Sequence, residues 1–273
     1  MRFRKLNPWI SWGLAATFLL AILSGLVVSY PYHEEHPLVT TVGLETVVPF
    51  GSFFRAFHYF SGQLTLLLTL WHTMEAMLCR YERRRSWWAW IALALSVPGV
   101  LFILFTGYII RGDETGYAAG HIAEHLAQSI PLIGGIIDHL FFLVTKDGVH
   151  RAWLAHVYFS GLVFFLAGLF HFRLRALRSV DIAAWGSFCA LLALILPASL
   201  ETYTEATLIK GPWFFLGVQE LLRYLPPLIA GVLFPSVPAL ALLGFYWWPR
   251  ASAWILGLWL MVYSVLTAVG ALR

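Results

Sequence analysis

The sequence predicts an all-α, polytopic membrane helix bundle, and three observations carry that prediction. The 273 residues are 60% hydrophobic and only 12% charged, with a mean hydropathy of +0.76, too apolar for a water-soluble domain of this length. Apolar runs of about 20 residues, long enough to cross a ~30 Å hydrocarbon core, recur between polar or proline-bearing breaks. Many of the 13 tryptophans, such as Trp87, Trp88, Trp90, Trp247 and Trp248, lie near the ends of those runs, as interfacial aromatic belts do. The net charge of +4 therefore bears on topology and is not a sign of nucleic-acid binding.

Seven spans follow in order. Basic residues at Arg2, Arg4 and Lys5 precede an apolar run from about Trp9 to Val28. This has the outline of a signal peptide, but no small-residue cleavage site follows, so it reads as the first span. A break at Pro31 opens a polar loop, Tyr32 to Pro49, whose His33 and His36 read as solvated rather than as metal ligands. The second span runs from about Phe53 to Leu78 and ends in Arg80-Tyr-Glu-Arg-Arg-Arg85; the third runs from Trp87 to Tyr108, with a kink expected at Pro98-Gly99. From Arg111 to about His150 the alternation of polar and apolar residues predicts short amphipathic helices on the membrane surface, one of them around His121 to Gln128. The fourth span runs from Arg151 to Phe172, the fifth from Ile182 to Leu200, the sixth from Phe215 to Phe234 with extension toward Phe245, and the seventh from Ala253 to Leu272.

Two of these spans carry paired histidines. His58 and His72 are fourteen residues apart, close to four helical turns, so they share one face about 21 Å apart along the axis. His156 and His171 repeat the device at fifteen residues. Side by side, two such helices make two His/His layers, and an imidazole from each can cap both axial positions of a flat macrocycle. The predicted core is therefore a four-helix bundle holding two b-type haems, His58 with His156 and His72 with His171. Room for a porphyrin comes from Gly62, Ser160, Gly161 and Gly168; the plain alternative is that these are packing residues of the kind found in any membrane bundle. The two cysteines, Cys79 and Cys189, form no CxxC or CxxCH, so neither a covalent haem nor an iron–sulfur site is encoded.

Orientation follows from the basic residues. With a cytoplasmic N-terminus, that side carries Arg2, Arg4, Lys5, Arg80, Arg83, Arg84, Arg85, Arg173, Arg175, Arg178 and Arg250, eleven of the 18 Lys and Arg. His58 and His156 then lie toward the outer face, His72 and His171 toward the cytoplasm. The Arg111 to His150 segment faces outward.

The order Arg55-x-x-His58, His72, Thr106-Gly-Tyr108, Asp113, Gly116-Tyr117, Ile130-Pro-Leu-Ile-Gly134, Arg151, His156 and His171 resembles the cytochrome b of bc-type quinol oxidoreductases. The fourteen/fifteen spacing is similar to the chloroplast and cyanobacterial kind. Beyond Asp181 the chain resembles that complex's subunit IV, in Gly211-Pro-Trp-Phe-Phe-Leu-Gly-Val-Gln-Glu-Leu-Leu-Arg-Tyr-Leu-Pro226 and Gly231-Val-Leu-Phe-Pro-Ser-Val-Pro238. The resemblance implies a fusion, with 1–178 as the di-haem part and 179–273 as the subunit IV-like part. It implies respiratory electron transport, in which quinol is oxidised at an outward-facing site. One electron goes to an external carrier and the other crosses the membrane by way of the two haems to an inner quinone site. By position, the quinol pocket is lined by Asp113, Gly116, Tyr117, Ile130, Pro131, Leu132, Ile133, Trp213, Phe214 and Phe215, mostly apolar walls as a quinone ring needs. Arg55 and Arg151 are placed to pair with propionates of the outer haem; the bland alternative for both is interfacial anchoring.

Two departures matter. Where the family has Pro-Glu-Trp-Tyr, this chain reads Gly211-Pro212-Trp213-Phe214, so the glutamate that takes a quinol proton and the tyrosine hydroxyl are both missing. Replacements are sought among His121, Glu124, His125, Asp113, Glu114, Glu201 and Glu205, because a buried carboxylate or a histidine suits a general base. His121, Glu124 and His125 lie within one turn of helix and form the favoured relay; the alternative is a solvated surface helix. Glu75 stands where relatives place an arginine for the inner haem, leaving Arg80 or Arg175 for that role.

The expected function is the di-haem subunit of a quinol oxidoreductase in the bacterial inner membrane, a homodimer within a larger complex. A Rieske iron–sulfur protein or a c-type cytochrome is the expected electron acceptor. Two other classes compete: a di-haem anchor exchanging electrons between the quinone pool and a peripheral dehydrogenase or reductase, and a histidine-based proton transporter or channel. A visible spectrum separates the last from the other two.

Overall fold

A computed structural model describes residues 6–170, 177–200 and 209–273, and all regular structure among them is helical. Helix α1 spans Pro8–Ser29, with Pro8 at its first position and the Asn7 side chain accepting from Trp9 N at 3.0 Å. Helix α2, Pro37–Thr46, falls inside the segment expected to be loop. Pro37 presets φ for a first helical turn, and the Thr40 and Thr41 hydroxyls return to the carbonyls of His36 and Pro37, so a segment of mixed polarity still winds up. Helix α3, Gly51–Leu78, follows after a bend of 115°.

A 3-10 turn at Tyr81–Arg84 leads to α4, Trp87–Ile109, which accommodates Pro98 without a break in the helix. The surface segment is α5, Glu114–Gln128, then α6, Gly134–Phe141, and α7, Val144–Asp147. Helix α5 begins a full two turns before the expected piece because Asp113 caps it, accepting from Gly116 N at 3.0 Å. Helix α8 spans His150–Phe170 and α9 spans Ser179–Ile195. The expected sixth span is corrected: residues Leu216–Leu221 form a short α10, and the longer helix starts only at Leu228. Pro226 and Pro227 end the first piece, since proline disfavours helix at the residue before it and removes a donor. A π-helical segment, Leu228–Leu233, continues into α11, Phe234–Gly244, and α12 spans Pro249–Leu272. Helices α1, α4 and α12 are each long and apolar enough to cross a membrane.

The chain forms two compact units. The first comprises Met1–Thr106 and Ala155–Leu200. In it α1 lies along α3, where Thr65 Oγ1 donates to Thr17 Oγ1 at 3.2 Å, and α9 packs on both. Trp185 of α9 fills the space left by Gly13, where a Cβ would sit 2.4 Å from the indole. Phe102 of α4 meets Phe159 of α8 edge-on at 5.2 Å, and Phe18 of α1 meets Phe164 of α8 at 5.3 Å. Lipid tails are as apolar as these side chains, so close packing and hydrogen bonds, rather than exclusion from water, hold spanning helices together.

The second unit comprises Gly107–Leu154 and Glu201–Arg273. Here α5 packs against α6, α7 and the π segment, and α12 packs against α10 and α11. Leu126 of α5 occupies the place of the missing Gly231 side chain, where a Cβ would lie 2.1 Å away. π-Helical turns often mark functional sites, and this one seats the helix that carries His121, Glu124 and His125.

Candidate functional site

In the first unit, α3 and α8 bring the His58 and His156 rings together edge-on. Their ring centroids are 6.1 Å apart with the planes at 78°. His58 Nδ1 lies 2.9 Å from the Ala21 carbonyl of α1, and His156 Nδ1 lies 2.8 Å from the Ile103 carbonyl of α4. A carbonyl only accepts, so both Nδ1 atoms carry the hydrogen and both Nε2 atoms keep a lone pair. Hydroxyls reinforce the arrangement: Ser24 Oγ is 3.3 Å from His58 Nδ1 and Thr106 Oγ1 is 3.4 Å from His156 Nδ1, each hydroxyl donating its own hydrogen to a backbone carbonyl.

Two metal–imidazole bonds of about 2 Å each, plus the ring radii, span about 6 Å, so one metal atom fits between these rings. Ligating histidines characteristically donate their other ring nitrogen in this way. Among the described residues, no three His, Cys, Asp or Glu side chains gather to hold a metal ion. A Cβ added at Gly62 or at exposed Gly161 would meet nothing within 4 Å. Gly25 of α1 brings its backbone against the His58 ring, 3.1 Å from an added Cβ to Cε1.

His72 is buried further along α3, with Nδ1 3.3 Å from Ser11 Oγ, whose own hydrogen goes to the Asn7 carbonyl at 3.0 Å. Glu75, one turn on, accepts from Asn7 N at 3.4 Å. His171, its expected partner, and Arg175 lie outside the described residues; Gly168 belongs to the end of α8. Each described arginine assigned to a propionate meets a carboxylate of this chain. Arg55 pairs with Glu45 and donates to the Ala198 carbonyl, Arg151 bonds Asp147 at 2.9 Å, and Arg80 bonds buried Glu82 at 2.8 Å.

All the described quinol-pocket residues fall in the second unit. Asp113 is fully buried and heavily committed: its carboxylate pairs with Arg111 and accepts from Thr115 Oγ1 at 3.2 Å and from Gly116 N. Arg111 also lies over the Tyr108 ring, 4.4 Å from its centroid. The Asp113 carboxylate, expected among the proton acceptors, therefore caps α5. Glu114 and Tyr117 are half-buried in the first turn of α5.

Glu124 is buried, and its Oε2 accepts from Thr145 Oγ1 at 2.6 Å and Thr145 N at 3.0 Å. His121, about half exposed, places Nδ1 3.7 Å from the same oxygen. His125 is exposed and turns Nδ1 to the His121 carbonyl at 2.8 Å. The helix thus joins a buried carboxylate to a wet imidazole and leaves His125 to one side. After α5, Pro131, Leu132 and Ile133 form an exposed apolar turn, with Leu132 at a φ of 68°. Trp213 is exposed, and Phe214 and Phe215 are half-buried. Glu201 and Glu205 lie outside the described residues. Ser11 and Ser24 were missed by sequence reasoning. A serine inside an apolar span gives no local signal of the ring it serves, and Thr106 surfaced only as part of a motif.

No family model matches the chain. It is similar to cytochrome b6 of Heliomicrobium gestii, 24% identical over 170 residues, covering 60% of this chain and 79% of that one. It is also 24% identical to the cytochrome b subunit of menaquinol:cytochrome c reductase from Geobacillus thermodenitrificans over 147 residues, 52% of this chain and 66% of that one. Cytochrome b of Chlamydomonas reinhardtii aligns over 267 residues at 24% identity, 82% of this chain and 69% of that one. In fold the chain is similar to a chain of a hyperthermophilic respiratory Complex III, with a TM-score of 0.68 at 18% identity, covering 98% of this chain and 85% of that one.

Proposed function

We propose that this chain, similar to cytochrome b6 and cytochrome b over most of its length, is the di-haem b subunit of a membrane quinol oxidoreductase. The observation that carries the reading is the His58/His156 pair, spaced for one metal and with both Nδ1 atoms anchored on backbone carbonyls. Residues 1–178 form the cytochrome b-like part and 179–273 the subunit IV-like part, in a bacterial inner membrane with the N-terminus cytoplasmic. Haem, when bound, supplies one-electron redox chemistry at a potential that the protein sets.

The chain's own residues do the rest. His58 and His156 hold one haem and His72 with His171 the other. Tyr117, Ile130 and Pro131 with Trp213, Phe214 and Phe215 line an apolar pocket for the quinol ring. Pro212 stands where the family pattern has a glutamate, so the two hydroxyl protons of the quinol pass in turn to Glu124 as its two electrons leave, one to the external carrier and one to the haems. Thr145 orients that carboxylate and His121 leads from it to water. The electron-accepting partner is a Rieske protein or a c-type cytochrome, and pull-down with subunit identification distinguishes them.

The test begins with the visible spectrum of the purified protein, which should show two b-type haems reducible by quinol; their absence sinks the reading. A redox titration should then resolve two waves. His58 and His156 donate to carbonyls, whereas His72 meets a serine hydroxyl beside Glu75, and such outer partners tune a metal's potential. A single wave accounting for both haems would contradict this difference.

A further inference from the structure

The turn that carries Trp213 and Phe214 is gripped from two directions. Phe215 N closes it on the Pro212 carbonyl at 2.7 Å. Gln219 of α10 uses both ends of its amide on the strand entering the turn: Oε1 accepts from Gly211 N at 2.7 Å, and Nε2 donates to the Ile209 carbonyl at 2.6 Å. From α12, the Tyr263 hydroxyl donates to the Phe214 carbonyl at 2.6 Å. Its ring reaches that far because residue 217 is glycine, where a Cβ would lie 2.6 Å from Tyr263 Cε2. The ring is stacked on Trp259, 4.6 Å between centroids and 10° between planes, and Trp259 Nε1 is itself tied to the Phe234 carbonyl at 2.8 Å.

Irregular backbone buried in a membrane protein must find hydrogen-bond partners somewhere, and that requirement alone would be met by any donor. Here three tethers bracket Pro212 on both sides, and the side chain they leave exposed is Trp213, 44% accessible. A binding wall has to be held to about half an ångström by groups whose own positions are locked, and Tyr263, fixed by stacking, meets that condition.

We infer that Tyr263 and Gln219 are positioning residues for the quinol: they hold the Trp213–Phe214 wall rigid where relatives present a glutamate and a tyrosine hydroxyl. This rests on the reading of Trp213 to Phe215 as a pocket wall. Neither residue touches the reacting oxygens, so their loss acts on binding.

The experiment compares Tyr263→Phe, Gln219→Leu and Trp213→Ala in the intact membrane complex, measuring haem content, both midpoint potentials, and KM and kcat for quinol. KM should rise about tenfold in Tyr263→Phe, the worth of one well-made hydrogen bond, and by more in Gln219→Leu, which loses two, with kcat, haem content and potentials retained in both. Gln219→Glu, which keeps the acceptor for Gly211 and loses the donor to Ile209, should fall between. Unchanged KM in Tyr263→Phe and Gln219→Leu, with KM raised by Trp213→Ala, overturns the positioning role and leaves the pocket standing. Unchanged KM in all three overturns the pocket as well. Loss of haem together with activity in Tyr263→Phe assigns the hydroxyl to folding and also overturns the inference.

Discussion

His156→Leu should give a protein that retains one b-type haem and has lost the other, with its visible absorbance about halved as one of two bis-histidine sites is removed. The geometry makes the effect large and selective. The ring opposite, His58, keeps its Nδ1 bond to Ala21 but has nothing across the 6.1 Å gap to complete the axial pair. His72 lies near Ser11 and Glu75, which the substitution does not touch. Thr106→Val is the graded control. It removes a hydroxyl 3.4 Å from His156 Nδ1 while the Ile103 carbonyl remains, so affinity for that haem should fall by about tenfold, at the mild end for an outer-shell change. A His156→Leu protein carrying both haems would rule out the assignment. One carrying neither would show that the two sites fold as a single unit, and selective loss in His58→Leu would then have to be sought separately.

The second large effect is expected at Glu124. Glu124→Gln preserves side-chain shape and an oxygen for Thr145 but cannot accept a proton, so quinol oxidation should slow about a hundredfold, the lower range for a general base. His121→Ala should slow the reaction less, because water can replace a half-exposed imidazole 3.7 Å from the carboxylate. His125→Ala should leave the rate unchanged, since that ring is bonded to its own helix. An unaltered rate in Glu124→Gln would remove the relay and direct attention to Glu201 and Glu205.

The legible parts of this molecule were those written locally along the chain. Hydropathy and its interruptions gave the helices around His58 and His156, because a lipid-facing segment must be both apolar and internally hydrogen-bonded. The fourteen-residue spacing sets His58 and His72 on one helical face, because helix pitch alone fixes that relation. Motif order carried the likeness to cytochrome b and subunit IV, and with it the missing glutamate at Pro212. Helix α2 was not legible, since Pro37 and two threonine hydroxyls create it in a segment without a long apolar run. The start of the sixth helix was also misplaced, because the apolar residues on either side of Pro226 and Pro227 read as one run although the proline pair marks the break.

What the sequence determined by itself is therefore the class, most of the elements and the histidine spacing, all properties of neighbours a few turns apart. Only tertiary structure decided which groups complete the sites. The acceptors for His58 and His156 are the carbonyls of Ala21 and Ile103, 37 and 53 residues away, and a backbone carbonyl has no residue type to betray it. Asp113 became a cap because Arg111 and the start of α5 converge on its carboxylate. Tyr263 reaches the Phe214 carbonyl 49 residues back because Gly217 leaves it room, a steric coincidence between two helices that no periodicity in either one encodes.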